Sequence, residues 1–171
     1  EGEKIVQKKG FMPPIGLAII ATILDEAGHE VKVIDMQIEQ QTEKELLHEL
    51  KTFRPEIVSM PMLDATAPVV RKIFHLVKSA FPEVLNITGG VHASMYPKKT
   101  LQENSEIDYV IYGEAEYPMR DLVAALRDKS SLDEVKGVYY RKGDEIVYTG
   151  YSVVEKDLDK FPIPSRKFFD L

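Results

Sequence analysis

Four histidines, two closely spaced glutamates, a glycine pair and no cysteine bound the chemistry open to this 171-residue chain. Glu114 and Glu116 stand two residues apart in Gly113-Glu114-Ala115-Glu116, a spacing that suits proton exchange or a hard cation. Carboxylates are equally favoured there by the dipole of a following helix, which is the role expected for them. His48 and His75 fall in helical segments and His29 precedes a strand, so these three read as packed, exposed or turn residues. His92 is different, because it follows a glycine pair at the end of an apolar run. The absence of cysteine removes disulfides, thiolate zinc sites and iron–sulfur ligation together.

That pair, Gly89-Gly90, comes directly after Val84-Leu85-Asn86-Ile87-Thr88 and before Val91-His92-Ala93. A strand ending in two residues without side chains lets a flat or bulky group approach the backbone at the sheet's carboxyl edge. Open α/β sheets bind their ligands at that edge. A tight strand-to-helix turn that needs glycine leaves the same pattern. Ser59-Met60-Pro61-Met62-Leu63 ends an earlier strand, and Asp64 and Thr66 are expected as caps of the helix begun by Thr66-Ala67-Pro68.

The elements that must position these residues follow from periodicity. Leu17, Ile20, Ala21 and Leu24 share a helical face between Pro14 and Ala27, and Gly28 stops that helix. Val31 to Asp35 is short and β-branched, as a strand would be. Thr42 with Glu45 forms a capping box ahead of Leu46, Leu47, Leu50 and Phe53. Strands are expected over Glu56 to Met60, Val84 to Thr88 and Asp108 to Tyr112. Helices are expected through Val69 to Val77, poorly around Lys98 to Glu103, and over Pro118 to Leu126.

Alternating helices and strands imply parallel pairing with right-handed crossovers, hence an α/β, flavodoxin-like (Rossmann-like) doubly wound parallel sheet. Its first strand is expected to be missing, since Lys4-Ile5-Val6-Gln7 is too polar for a strand buried on both faces. After Leu132 the alternation stops and Gly137 to Thr149 reads as a β-hairpin. The expected division is an α/β domain over 1–131, a hairpin appendage over 132–150 and a linker over 151–171. A start at Glu1-Gly2-Glu3 and an end at Phe168-Phe169-Asp170-Leu171 read as cut ends, the expectation for an excised fragment.

Composition narrows the class. Hydrophobic residues at 44% and charged residues at 29% suit a soluble globular domain. A net charge of −6 with dispersed basic residues leaves no stripe for a phosphate backbone, so nucleic acid is not an expected partner. No apolar run approaches the roughly 20 residues of a membrane span, and a cytoplasmic location is expected.

In this order, Pro13-Pro14-Ile15-Gly16-Leu17-Ala18, Ala27-Gly28-His29-Glu30-Val31, Gly89-Gly90, Ile107 to Glu116 and Asp157 to Arg166 resemble a known family. It is the amino-terminal cobalamin-binding domain of cobalamin-dependent radical S-adenosylmethionine enzymes, a group that includes methyltransferases and the anaerobic magnesium-protoporphyrin monomethyl ester cyclase. The resemblance covers nearly the whole chain. It implies a cobalamin site built from Ser59, Met60, Met62, Leu63, Thr66, Gly89, Gly90, His92, Gly113 and Glu114. Met62 and Leu63 would press on the lower face of the corrin. A side chain at either glycine would occupy the slot for the cofactor's base and ribose. His92 would hydrogen-bond a phosphate or amide of the tail.

The resemblance also has gaps that carry meaning. None of the histidines sits in an Asp-x-His-x-x-Gly motif, so cobalamin is expected base-off with no protein imidazole on cobalt. The Cys-x3-Cys-x2-Cys motif is absent, so the 4Fe-4S cluster and S-adenosylmethionine belong to a radical S-adenosylmethionine domain of the same polypeptide, in a parent methyltransferase or cyclase. This chain cannot run that reaction alone. The alternative class is a non-catalytic receiver-like or nucleotide-binding flavodoxin-like module. A receiver needs an aspartate where Ser59-Met60-Pro61 stands, and a dinucleotide domain needs Gly-x-Gly-x-x-Gly after its first strand.

Overall fold

The structure, a computed structural model, describes residues 14–36 and 39–169. Helix α1 (Ile15–Glu26) starts after Pro14, whose φ of −69° is already helix-compatible. It ends in paired hydrogen bonds, Gly28 N–H to Asp25 O at 2.9 Å and His29 N–H to Leu24 O at 3.1 Å. Gly28 closes this turn at φ +86°, a left-handed conformation that glycine adopts without steric cost. Helix α2 (Glu43–Phe53) opens with the expected capping box: Thr42 N–H donates to Glu45 Oε2 at 2.8 Å and Glu45 N–H to Thr42 Oγ1 at 3.3 Å.

The remaining elements alternate as periodicity requires. They are β1 (Ile57–Pro61), α3 (Ala67–Ala80), β2 (Leu85–Gly89), α4 (Val91–Met95), α5 (Pro97–Glu103), β3 (Tyr109–Ile111) and α6 (Glu116–Asp128). The hairpin β4 (Val138–Lys142) and β5 (Glu145–Tyr148) follows. The five strands form one sheet in the order β1-β2-β3-β4-β5. Strands β1 to β3 are parallel, with Ile57 opposite Leu85 and Ile87 opposite Tyr109.

One expectation, the strand over Val31 to Asp35, is corrected. The expected parallel strands and hairpin are both present, and the hairpin continues the sheet, β4 running antiparallel to β3 with Ile111 opposite Val138. The cause is that the chain after α6 returns to the carboxyl edge before β4 begins, where Tyr112 N–H meets Gly137 O at 2.8 Å. Val31 to Asp35 joins no ladder among the described residues, because composition prepares a segment to pair but only a neighbouring strand makes it one. Lys4-Ile5-Val6-Gln7 lies outside the described residues.

Side-chain alternation sorts the core onto both faces, which makes the fold doubly wound. Ile57, Ile87 and Ile111 pack with Ile20 and Leu24 of α1 and Met119 and Leu122 of α6. On the other face Val58, Met60 and Val110 pack against Val70 and Phe74 of α3 and Leu101 of α5. Arg141 of β4 reaches under α5, donating to Ile107 O at 2.6 Å and Asn104 O at 2.7 Å, a cation at a helix carboxyl end. Residues 151–169 return across α6 and α1: Ser165 N–H donates to Thr22 Oγ1 at 2.9 Å and Lys167 pairs with Asp25 at 2.6 Å. No helix among the described residues is long and apolar enough to cross a membrane.

Candidate site at the carboxyl edge of the sheet

Two loops are stitched together at this edge by their backbones. Met62 N–H donates to Gly89 O at 2.8 Å and His92 N–H donates to Met62 O at 3.1 Å. Gly90 sits between them at φ 91° and ψ −177°, a region closed to residues with a side chain. A Cβ built on it would lie 3.1 Å from Met62 O and 3.3 Å from Met62 N. The expectation that a side chain at Gly90 would enter an open slot is therefore corrected, since the neighbouring loop already fills that space. Gly89 behaves otherwise. Its Cβ would meet only Ile111, at an ordinary 3.4 Å from Cβ, on the α1/α6 face of the sheet that β1 shares through Ser59. Ser59 and Pro61 are exposed and Gly89, opposite Pro61, is half-buried, so this end of the sheet carries a hydroxyl one residue pair away from a glycine without side chain.

The other expected residues reach the same edge in different ways. Met60 is half-buried on the α3 face, and its carbonyl accepts Thr88 Oγ1–H at 2.9 Å. Met62 is 0% exposed inside the core with Val70 and Phe74, so it acts through its backbone while Leu63, 47% exposed, presents the apolar surface. Thr66 Oγ1 accepts Leu63 N–H at 3.0 Å. Thr66 takes the expected N-cap position of α3, but its side chain makes no cap bond because its oxygen serves the loop, and Asp64, which is not a cap, pairs with His92 Nδ1. Gly113 N–H donates to Ser94 Oγ at 3.0 Å, tying the end of β3 to α4.

Glu114 departs from the group. With Glu116, Tyr117, Leu158 and Phe161 it lines a separate cavity of about 190 Å³ beneath the returning carboxyl-terminal segment. Glu155 anchors that segment. The Asp157 N–H, then Lys160 and the Tyr117 hydroxyl, hold its carboxyl down to about 2. The Glu114/Glu116 pair has no partner geometry for a metal, and no cluster of metal-ligating side chains occurs among the described residues.

His92 rests its ring 5.5 Å from Tyr96 and is 16% exposed in its side chain. His75 lies near the amino edge, paired with Glu106 at 2.9 Å, and the imidazole holds the Glu106 carboxyl below its ordinary range. Sequence reasoning missed a tyrosine cluster beside the site, where Tyr139 stacks on Tyr148 at 4.2 Å and Tyr112 meets both edge-on. Burial, reinforced by the neighbouring phenols, pushes Tyr148 up to about 12. The available signal was that the hairpin tyrosines recur opposite a strand ending in Tyr112.

Residues 5–123 match the family model described as B12 binding domain. Among curated proteins, the anaerobic magnesium-protoporphyrin IX monomethyl ester cyclase of Synechocystis sp. is 26% identical over 157 residues, 91% of this chain and 32% of that protein. The hopanoid C-3 methylase of Methylococcus capsulatus is 32% identical over 136 residues, 78% of this chain and 26% of that protein. This chain thus spans about a third or less of the relatives it matches. The cobalamin-dependent S-adenosylmethionine radical enzyme OxsB, solved with aqua-cobalamin and S-adenosylmethionine, has the same fold over 88% of this chain and 21% of its own, with a TM-score of 0.77 at 23% identity. TsrM from Kitasatospora setae, solved with cobalamin and a 4Fe-4S cluster, superposes over 88% of this chain and 28% of its own at a TM-score of 0.72 and 19% identity.

Proposed function

This chain belongs to the B12 binding domain family, and from that premise we propose that it holds cobalamin base-off at the carboxyl edge of its sheet, as part of a radical S-adenosylmethionine enzyme. The observation that carries the reading is the end of the sheet on the α1/α6 face, where exposed Ser59 and Pro61 of β1 lie beside half-buried Gly89, the residue opposite Pro61. A hydroxyl close to bare backbone fits a flat heterocycle and ribose, with apolar contact supplying affinity and one polar group fixing orientation. Leu63, on the loop braced by Thr66, supplies the apolar surface beneath the corrin. Met60, Met62 and Gly90 hold that loop, and Gly113 and Glu114 bound the edge at the end of β3.

No histidine of the described chain is assigned to cobalt. His92 binds Asp64 through Nδ1, which leaves Nε2 open, so its exclusion from cobalt rests on the missing Asp-x-His-x-x-Gly motif and on its place among Arg71, Tyr96 and Lys99, while His75 pairs with Glu106 near the amino edge. When bound, cobalamin supplies methyl-transfer or redox reactivity, and these residues bind it, orient it and keep water from its lower face. The relatives, of which this chain spans about a third or less, support a parent protein that carries the 4Fe-4S cluster, S-adenosylmethionine and the substrate site in a further domain of the same polypeptide. Titration with hydroxocobalamin tests the binding. Electron paramagnetic resonance of the cobalt(II) form tests the coordination, with no threefold nitrogen splitting expected; a triplet that disappears in His92→Ala would make His92 the ligand.

A further inference from the structure

Residues 151–169 form a strap across α6 and α1 that is pinned by polar contacts yet leaves its large apolar side chains bare. Glu155 Oε2 accepts the Tyr117 hydroxyl at 2.9 Å and the Lys160 ammonium at 3.1 Å, and Oε1 accepts the Lys156 and Asp157 N–H groups, both at 3.0 Å. Phe161 rests its ring 5.3 Å from Tyr117, and beyond it Ser165 and Lys167 hold Thr22 and Asp25 of α1. Tyr151, Val153, Val154, Leu158 and Ile163 are all exposed, from 65% at Val154 to 89% at Ile163. Nearly half of the large hydrophobic side chains exposed among the described residues fall in this short stretch. Single exposed apolar residues need no explanation, but several together on a fixed backbone mark an interaction surface. Because the strap is already pinned, docking on it costs little further ordering.

The occupant follows from what surrounds the strap. The family model ends at residue 123, whereas the match to the Synechocystis cyclase covers 91% of this chain and so runs on into the strap, in a protein of which this chain spans 32%. The strap therefore lies beyond the B12 binding module but within what is shared with a longer protein. Glu155, Asp157 and Asp159 alternate with Lys156 and Lys160, which leaves no excess of cations for a lipid surface or a nucleic acid. We propose that the apolar patch from Tyr151 to Ile163 is the surface on which a further domain of the same polypeptide is seated, an inference that rests on the parent protein proposed above. Tyr151 also meets Tyr112 and Tyr148 edge-on, at 5.9 and 5.7 Å between ring centres, so a domain seated there is coupled to the end of β3 at the carboxyl edge.

The test compares limited proteolysis of residues 151–169 in this chain and in the full-length parent, as wild type and with Val153→Ser, Leu158→Ser and Ile163→Ser combined. Cleavage is expected to be about tenfold slower in the wild-type parent than in the wild-type chain, and the substitutions should abolish that protection. The chain alone should keep its urea midpoint with the substitutions and sediment as a monomer with or without them. Equal cleavage in wild-type parent and wild-type chain overturns the proposal without recourse to any variant. A urea midpoint that falls in the substituted chain alone also overturns it, since the patch would then serve the chain's own fold. A wild-type chain that sediments as a dimer and a substituted chain that does not would assign the patch to a second copy, which overturns it as well. Failure of the parent to bind hydroxocobalamin would count against the cobalamin reading, and the cleavage rates would still judge this one.

Discussion

Replacing each glycine of Gly89-Gly90 by alanine should separate what the fold needs from what the ligand needs. At Gly90 the backbone conformation costs a residue with a side chain about 1–3 kcal/mol. The new Cβ, 3.1 Å from Met62 O, also pushes on the loop whose two backbone hydrogen bonds, at 2.8 and 3.1 Å, contribute roughly 0.5–1.5 kcal/mol each. A loss of about 2–6 kcal/mol is expected, a large share of the 5–15 kcal/mol, roughly, that holds a typical domain folded. At Gly89 the Cβ makes an ordinary 3.4 Å contact with Ile111, and alanine in a strand gains roughly 0.5–1 kcal/mol over glycine. Stability should therefore hold or rise slightly, while the methyl intrudes on the end of the sheet near Ser59. Urea unfolding of the ligand-free chains measures the first effect, and hydroxocobalamin titration measures the second. We expect Gly90→Ala to unfold at clearly lower urea, and Gly89→Ala to unfold as wild type yet bind at least tenfold more weakly, about 1.4 kcal/mol. A wild-type urea midpoint for Gly90→Ala would refute the backbone argument, and wild-type affinity for Gly89→Ala would refute the slot.

Other outcomes follow from side chains remote from that edge. Arg141→Met removes the cation that serves the Ile107 and Asn104 carbonyls, and chemical unfolding should show a loss of about 2–4 kcal/mol. Thr42→Ala deletes one half of the capping box on α2 and should cost about 1 kcal/mol by the same measurement. The Glu155 carboxyl is held at about 2, below its ordinary 4.5, so its contribution is complete above pH 4.5 and is lost as pH falls toward 2. Limited proteolysis of residues 151–169 should accelerate over that acid range in the wild type. In Glu155→Gln it should be fast already at neutral pH and change little with acid.

Local signals in the sequence predicted the helices well because their causes are local. The Thr42 and Glu45 pair, and Gly28 after Ala27, each satisfy backbone groups within a few residues, so their types alone fix the ends of α1 and α2. Strand partnership was not legible for the opposite reason. Val31 to Asp35 has the composition of a strand, but whether it joins a ladder depends on chain far away in sequence. The hairpin was visible in Gly137 to Thr149, yet its antiparallel register against Tyr109–Ile111 is a tertiary fact. Thr66 precedes a helix as a cap does, but its oxygen is taken by Leu63 N–H, a competition that adjacency to Ala67-Pro68 does not reveal.

The edge itself was legible as a place before it was legible as a mechanism. Residue types marked Ser59, Leu63, Gly89, Gly90 and His92, and the fold brings them to one end of the sheet. What spacing could not give is the distance from each glycine to the chain that faces it. Gly90 lies against the backbone of Met62, so glycine there is demanded by folding whether or not a ligand is ever bound. Gly89 is half-buried opposite Pro61, and its methyl would meet only Ile111 at an ordinary distance, so nothing in the packing forbids it. Adjacent and chemically identical residues therefore answer to different constraints, and a ligand effect measured at Gly90 would report the loop's collapse, leaving Gly89 as the position where binding and stability can be pulled apart.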